Sequence, residues 1–109
     1  MPKDALDLGH FSDPALLILS SLMGGPKHGY AITVDVEQVA GVRLGPGTLY
    51  GALSRLEGRG LIEALPADDR RRPYRLTAEG RAVLEVELRT LEAVTRRGLD
   101  RLRVGEVAS

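Results

Sequence analysis

The chain has no cysteine and only two histidines. It therefore forms no disulfide and no thiolate metal site, and because His10 and His28 stand alone, no metal or other cofactor is expected. The longest apolar run, Ala15 to Leu19, is far shorter than the roughly 20 residues that span a bilayer. The first residues include Asp4 and Asp7 and lack the apolar centre of a signal peptide. These absences predict a cytoplasmic protein with no membrane partner.

The chain also lacks a net charge, since 15 basic residues balance 15 acidic ones. Whole-chain charge thus gives no support for nucleic-acid binding. The basic residues are nevertheless concentrated at Arg70–Arg72, with Arg75 close by. A focused patch on a neutral body predicts phosphate binding of modest affinity and strong salt sensitivity. The alternative is a solvated charge run in which Asp68 and Asp69 pair with some of the arginines.

Proline and glycine mark the ends of the first two predicted helices. Asp13 is a good N-cap and Pro14 suits the first helical position, which predicts a helix over residues 14–23. Gly41 favours the end of a second helix over residues 28–40. The apolar spacing of this helix predicts a buried face formed by Ile32, Val36 and Val39.

A third helix and two strands follow in the middle of the chain. Pro46 suits the first position of the helix and Gly60 its end. Residues 61–65 and 73–76 have strand patterns, and the turn 66–72 joins them with arginines at its tip. A helix followed by such a hairpin is the second half of a winged helix-turn-helix. The predicted fold class is mainly α with a small antiparallel β-hairpin.

Thr77 is a good N-cap for a last helix, predicted over residues 78–103 and about 39 Å long. Apolar residues recur along it with heptad spacing, interrupted at Thr95 and Gly98, and such spacing is typical of helices that pair. The predicted domains are an N-terminal arm (1–12), a winged-helix DNA-binding domain (13–77) and a C-terminal dimerisation helix with a tail (78–109). The predicted dimer interface consists of Leu17, Leu84, Leu88, Leu91, Thr95 and Leu102.

The third helix has one apolar face and one small, lightly basic face. With Leu49, Leu53 and Leu56 inward, helical geometry turns Gly47, Thr48, Gly51, Ser54, Arg55 and Gly58 outward. A helix meant only for solvent would carry Glu, Lys and Gln, and each mid-helix glycine costs roughly 1 kcal/mol. This face favours insertion into a DNA groove, and the alternative is a weakly specified surface helix.

Several side chains around this helix are candidates for phosphate contacts. The Tyr30 and Tyr50 hydroxyls can bind phosphate, the alternative being partly buried rings with satisfied hydroxyls. Lys27 is a further candidate, whereas His28 is interpreted as a capping or surface residue. The predicted DNA-binding set is Lys27, Tyr30, Gly47, Thr48, Tyr50, Ser54, Arg55, Arg70, Arg71 and Arg72.

Enzymatic function is not expected. Gly45-x-Gly47 suggests a nucleotide loop, but the third glycine falls at position 51, one place late, and no Gly-Lys-Thr/Ser follows. The two histidines and the scattered carboxylates do not assemble into a nucleophile, base and orienting group.

Three stretches, HGYAI at 28–32, LGPGTLYGALSRLEGRGLIE at 44–63 and RRPYRLTAEGR at 71–81, resemble the PadR family of bacterial transcriptional regulators. The resemblance extends over residues 15–103 and implies the compact branch, with one dimerising C-terminal helix. It implies a homodimer that binds double-stranded DNA at a palindromic or pseudo-palindromic operator and usually represses. By position, the DNA contacts would be Tyr30, Gly47, Thr48, Tyr50 and Arg70–Arg72.

Some relatives in that family bind flat aromatic effectors between tryptophans at the dimer interface. This chain has no tryptophan and one phenylalanine, so the existence and identity of a small-molecule effector stay open. Two other functions also stay open: a winged helix that binds protein instead of DNA, favoured by the neutral charge, and a ligand-binding module that has lost its DNA role.

Overall fold

Four helices and three short strands make up residues 13–108, the part of the chain that the computed structural model describes. The predicted N-terminal arm (1–12), with His10, and the last residue of the predicted tail lie outside the described residues. The elements, in chain order, are α1 (Pro14–Leu22), β1 (Lys27–His28), α2 (Gly29–Ala40), α3 (Pro46–Gly58), β2 (Ile62–Ala64), β3 (Pro73–Leu76) and α4 (Ala78–Ala108).

The helix ends follow the capping residues that the sequence supplies. The Asp13 carboxylate accepts a hydrogen bond from the Ala15 N–H at 2.9 Å and so caps α1. Gly41 ends α2 in the left-handed region (φ 70°), and its N–H donates to the Glu37 carbonyl. Both predicted ends are confirmed, although α1 is one residue shorter than predicted and α2 begins one residue later.

The sheet has a strand that the sequence analysis missed. Instead of a hairpin alone, three antiparallel strands lie in the order β1-β3-β2, with Lys27 opposite Tyr74 and His28 opposite Pro73. A strand of two residues has no alternating pattern to reveal it. It exists because the chain between α1 and α2 runs beside β3, which follows much later in the sequence, and no local signal encodes this pairing.

One core joins every layer of the domain. Its largest fully buried side chains are Ile18, Ile32, Leu53, Ile62 and Leu84, one each from α1, α2, α3, β2 and α4. The prediction that Val39 belongs to the buried face of α2 is wrong, because this side chain is 80% exposed. Residues 37–41 are all exposed, so the last turn of α2 extends past the core.

The helix α4 belongs to the domain at its start and projects from it afterwards. Its 31 residues span about 46 Å. Leu84 lies in the core of its own chain, so its predicted place in a dimer interface is corrected: no surface of it remains for a partner. Leu17 and Leu91 are half-buried, and Leu88, Thr95 and Leu102 are exposed. No helix within residues 13–108 is long and apolar enough to cross a membrane.

Thr77 fixes where α4 begins. Its hydroxyl accepts a hydrogen bond from the Gly80 N–H at 3.0 Å and donates to the Gly60 carbonyl at 2.7 Å. Its own N–H donates to the Leu61 carbonyl. Gly80 lies so close to that carbonyl that a Cβ at this position would collide with its oxygen. The first turn of α4 is therefore pressed against the backbone that leads into β2.

We expect Gly80→Ala to destabilise the fold by about 1–3 kcal/mol, because the clash is with backbone that cannot move aside. The measurement is the free energy of unfolding in urea. The matched control is Gly51→Ala in α3, where the added Cβ meets only ordinary contact at 3.6 Å. Better helix propensity should make this control about 1 kcal/mol more stable. A Gly80→Ala variant as stable as wild type would contradict the close approach.

Candidate nucleic-acid interface

The wing is the hairpin formed by β2, the turn 65–72 and β3. Asp68 and Arg71 exchange two backbone hydrogen bonds, of 2.6 and 2.9 Å. Between them Asp69 and Arg70 have φ values of 50° and 72°. Two consecutive residues with positive φ define a type I′ turn, in which glycine or asparagine is usual. The tip is therefore Asp69-Arg70, and Arg71 and Arg72 lie on the returning side, which corrects the prediction that three arginines share the tip.

A groove of about 300 Å³ lies between the wing, the start of α2 and the first turns of α3. We call it the wing groove. It brings together five predicted DNA-binding residues from three separate segments: Tyr30, Tyr50, Arg70, Arg71 and Arg72. Tyr30 is 73% exposed and Tyr50 is 53% exposed, so neither ring is a core residue. All five residues border the same concave surface.

Gly29 determines where Tyr50 lies. A Cβ added to Gly29 would be 2.5 Å from the Tyr50 hydroxyl oxygen and 3.0 Å from the adjoining ring carbon. Any side chain at position 29 would therefore displace the ring. The missing side chain allows the Tyr50 ring to lie against the first turn of α2, so that one tyrosine bridges α2 and α3 at the wing groove.

The two faces of α3 are those that the sequence predicts. Leu49, Leu53 and Leu56 are buried, and five of the six predicted outward residues are exposed, the exception being the half-buried Gly51; the exposed ones are Gly47, Thr48, Ser54, Arg55 and Gly58. The outward side chains are short, except for that of Arg55. A helix with small exposed side chains can approach another surface closely.

The arginines of the wing differ in how they are engaged. Arg75 lies opposite Glu63 in the β2–β3 register, and both its Nε and its Nη2 donate to that carboxylate. Asp68 and Asp69, by contrast, form no ion pair with the wing arginines within residues 13–108. The alternative, in which these aspartates pair with some of the wing arginines, therefore finds no support in these ion pairs.

Lys27 lies apart from the wing groove. Its ammonium group donates a hydrogen bond to the Ser21 carbonyl at the end of α1, where a cation is favoured. Its side chain borders a neighbouring groove of about 350 Å³, which also contains Asp68 and Asp69. The structure thus places Lys27 in one groove with Arg71, but apart from Tyr30, Tyr50, Arg70 and Arg72.

The wing groove contains two polar residues that the sequence analysis did not place in the site, Tyr74 and His28. Burial is the main cause that raises the pKa of Tyr74, with smaller contributions from Glu57 and Tyr50, while Arg72 opposes the shift. The Tyr74 hydroxyl therefore stays protonated and can donate a hydrogen bond to an acceptor. The His28 ring contacts Arg71, with Arg71 Nη1 and His28 Nε2 3.2 Å apart. Tyr74 follows Arg72 and Pro73 directly, so its place beside the arginines could be predicted from the sequence. The contact of His28 with Arg71 could not, because it depends on the pairing of β1 with β3.

A helix with a small, exposed face and a basic hairpin beside it is the arrangement of a winged-helix DNA-binding protein. Comparison with known proteins agrees. The model of the transcriptional regulator PadR-like family matches residues 18–86. The chain is 42% identical over 84 residues to the transcriptional regulator Rv3488 of Mycobacterium tuberculosis, a match that covers 74% of this chain and 78% of that protein. This chain therefore belongs to the PadR-like family of transcriptional regulators.

Two further proteins are similar to this chain. An uncharacterized 37.1 kDa protein in transposon TN4556 of Streptomyces fradiae is 48% identical over 86 residues, which are 79% of this chain. The match spans only 25% of that longer protein. A PadR family transcription regulator from Clostridium difficile R20291 has a similar structure, with a TM-score of 0.67 and 32% identity. That likeness covers 79% of this chain and 97% of the other.

We expect Arg70→Gly to stabilise the fold, because a left-handed backbone costs a residue with a Cβ about 1–2 kcal/mol that glycine avoids. The measurement is the free energy of unfolding in urea. The control is Arg72→Gly, which removes the same charge from a position without positive φ. This control should be no more stable than wild type. If both variants changed the free energy of unfolding equally, the lost charge and not the backbone conformation would be responsible.

Proposed function

We propose that the chain is a homodimeric transcriptional repressor that binds a palindromic or pseudo-palindromic DNA operator, with α3 in the major groove. One observation carries the proposal: Tyr30, Tyr50 and the wing arginines converge on the wing groove, beside the exposed face of α3. Repression and a two-fold operator follow from the family resemblance. The exposed face of α3 suits the base edges of a duplex, and the wing groove suits its phosphates.

The two surfaces have different tasks in this proposal. Thr48, Ser54 and Arg55 read base edges, and Gly47 permits close approach of the α3 backbone. Tyr30, Tyr50 and Arg70–Arg72 bind phosphates and fix the register of the protein on the duplex. Lys27 adds a phosphate contact through the ammonium protons that the Ser21 carbonyl does not take.

The dimer of the proposal forms through the projecting half of α4. Leu88, Leu91, Thr95 and Leu102 continue the heptad spacing that starts at the buried Leu84, and Leu102 is 67% exposed. Leu17 of α1 extends this stripe. Ion pairs between residues of α4, Arg89–Glu85 and Arg96–Glu92, flank it. Pairing two such helices would set two copies of α3 about one DNA turn apart, roughly 34 Å.

Regulation in this proposal acts on the separation of the two α3 helices, through a partner protein or a small molecule at the dimer seam. A cleft of about 530 Å³ between the end of α1 and α4 borders the proposed interface. It is lined by Met23, Arg81, Glu85, Leu88, Arg89 and Glu92, with no aromatic ring. Its charged lining suits a polar molecule better than a flat aromatic one.

The division of tasks predicts two kinds of binding defect. Arg71→Ala and Arg72→Ala should weaken binding to every DNA sequence and flatten the salt dependence of log K by about 0.9 for each phosphate that the variant no longer neutralises. Ser54→Ala and Arg55→Ala should instead change which base pairs are preferred. Fluorescence anisotropy with labelled DNA from upstream of the chain's own gene, at several salt concentrations, measures both effects.

The control for the wing variants is Arg101→Ala, which removes the same charge from an exposed position far along α4. It should keep the affinity and the salt slope of wild type. Wing variants that alter base preference while leaving the salt slope unchanged would disprove the division of tasks. A wild-type chain that fails to bind its upstream DNA even at low salt would favour the protein-binding alternative.

We expect Leu88→Asp to abolish the dimer and to weaken operator binding by orders of magnitude, because a carboxylate in the apolar seam would lose its hydration. Sedimentation velocity over a range of concentrations gives the oligomeric state. The matched control is Val86→Asp, which adds the same charge at another exposed position of α4, on the side away from the heptad stripe. This variant should stay dimeric. A monomeric Leu88→Asp chain with full affinity would remove the dimer from the proposal.

A further inference from the structure

His28 connects the start of α2 with the wing. It occupies the N-cap position of α2, yet within the described part of the chain its ring makes no capping hydrogen bond. Its Nε2 instead lies 3.2 Å from Nη1 of Arg71, a residue 43 positions away. Arginine only donates, so this contact needs a neutral ring whose Nε2 accepts. A neutral imidazole therefore accepts a hydrogen bond from Arg71 of the wing.

The surroundings of the ring are positively charged on the side of the wing groove. The charged groups of the wing groove and the adjoining groove are Lys27, Asp68, Asp69, Arg70, Arg71 and Arg72. Both aspartates border the adjoining groove, which His28 also lines, whereas the lining of the wing groove contains no carboxylate. The titratable groups that complete this lining are the hydroxyls of Tyr30, Tyr50 and Tyr74. The wing groove combines three guanidinium groups with hydroxyls that can donate and has no carboxylate in its lining, which suits an anion.

Protonation would reverse the role of the ring. An imidazolium has two N–H donors and no acceptor, so it cannot hold Arg71, but it can donate to a phosphate oxygen. Arg71 is then released to bind the same phosphate, and the negative charge of the phosphate lies between two cations that would otherwise repel each other. Histidine is the residue type that makes this change between about pH 5 and 8.

We propose that His28 is a phosphate ligand in the DNA complex and takes up a proton when DNA binds. The inference rests on the proposed function, because the phosphate is that of the bound duplex. Linkage requires that a proton taken up on binding makes affinity rise as pH falls. The arginine contacts alone give no such dependence, because arginine stays charged over this range.

The test compares binding at about pH 8 and about pH 6, by anisotropy with the upstream DNA at several salt concentrations. Wild type should bind about three- to tenfold more tightly at the lower pH, with a salt slope steeper by up to about 0.9, because one more protein cation joins the interface. His28→Gln keeps an acceptor for Arg71 but cannot be protonated, so its affinity and salt slope should be the same at both pH values.

The control is His10→Gln, since the chain has only two histidines. This variant should retain the full pH response of wild type. A second readout is the NMR titration of the imidazole C–H resonances, which His10→Gln assigns to the two residues. The midpoint of the His28 titration should move to higher pH when DNA is added.

Three outcomes would overturn the inference while leaving DNA binding intact: wild-type affinity that is unchanged at the lower pH, affinity that falls there because His28 and Arg71 repel each other, or a pH response that persists in His28→Gln. A folded wild-type chain that does not bind DNA at either pH would instead count against the proposed function itself.

Discussion

The pairing of β1 with β3 is the constraint on which the candidate site depends. The hairpin strands also pack on the core through Ile62, Tyr74 and Leu76, but only β1 joins the wing by backbone hydrogen bonds to the segment that leads into α2. Because Lys27 and His28 pair with Tyr74 and Pro73, the arginine side of the wing is held beside the first turn of α2. The wing groove lies between the two segments that this pairing holds together. Two residues of strand thus determine which side chains meet.

The core explains why α3 has a fixed orientation behind that groove. Leu53 is fully buried in a core that draws on every helix, and the leucines on either side of it are buried as well. With the apolar face of α3 held in this way, the opposite face has nowhere to point except outward. Gly29 then allows Tyr50 to cross to α2, so the position of the groove follows from core packing and one missing side chain.

Features encoded by neighbouring residues could be predicted from the sequence. The caps at Asp13, Gly41 and Thr77, the two faces of α3 and the strand β3 all depend on residues a few positions apart, and the structure has them. Features that depend on distant contacts could not. The strand β1 and the contact of His28 with Arg71 require a long loop closure, and Leu84 has a heptad position although it packs into its own domain.

The geometry of the wing turn could be predicted only in part. The position of the wing turn follows from composition, but its positive φ angles could not be expected, because Arg70 occupies a place that glycine usually takes. The exposure of Val39 was missed for a different reason. Spacing tells which side of a helix a residue is on, but it does not tell where the covering elements stop.

The junction between α3, β2 and α4 has a mechanical consequence. Thr77 donates hydrogen bonds to the carbonyls of two consecutive residues just before β2, Gly60 and Leu61, and Gly80 approaches the Leu61 carbonyl with no space left for a side chain. Because the two backbones are in direct contact, the first turn of α4 cannot rotate independently of the segment before β2. A rotation of α4 at its first turn would therefore move the start of β2, the root of the wing, together with the helix.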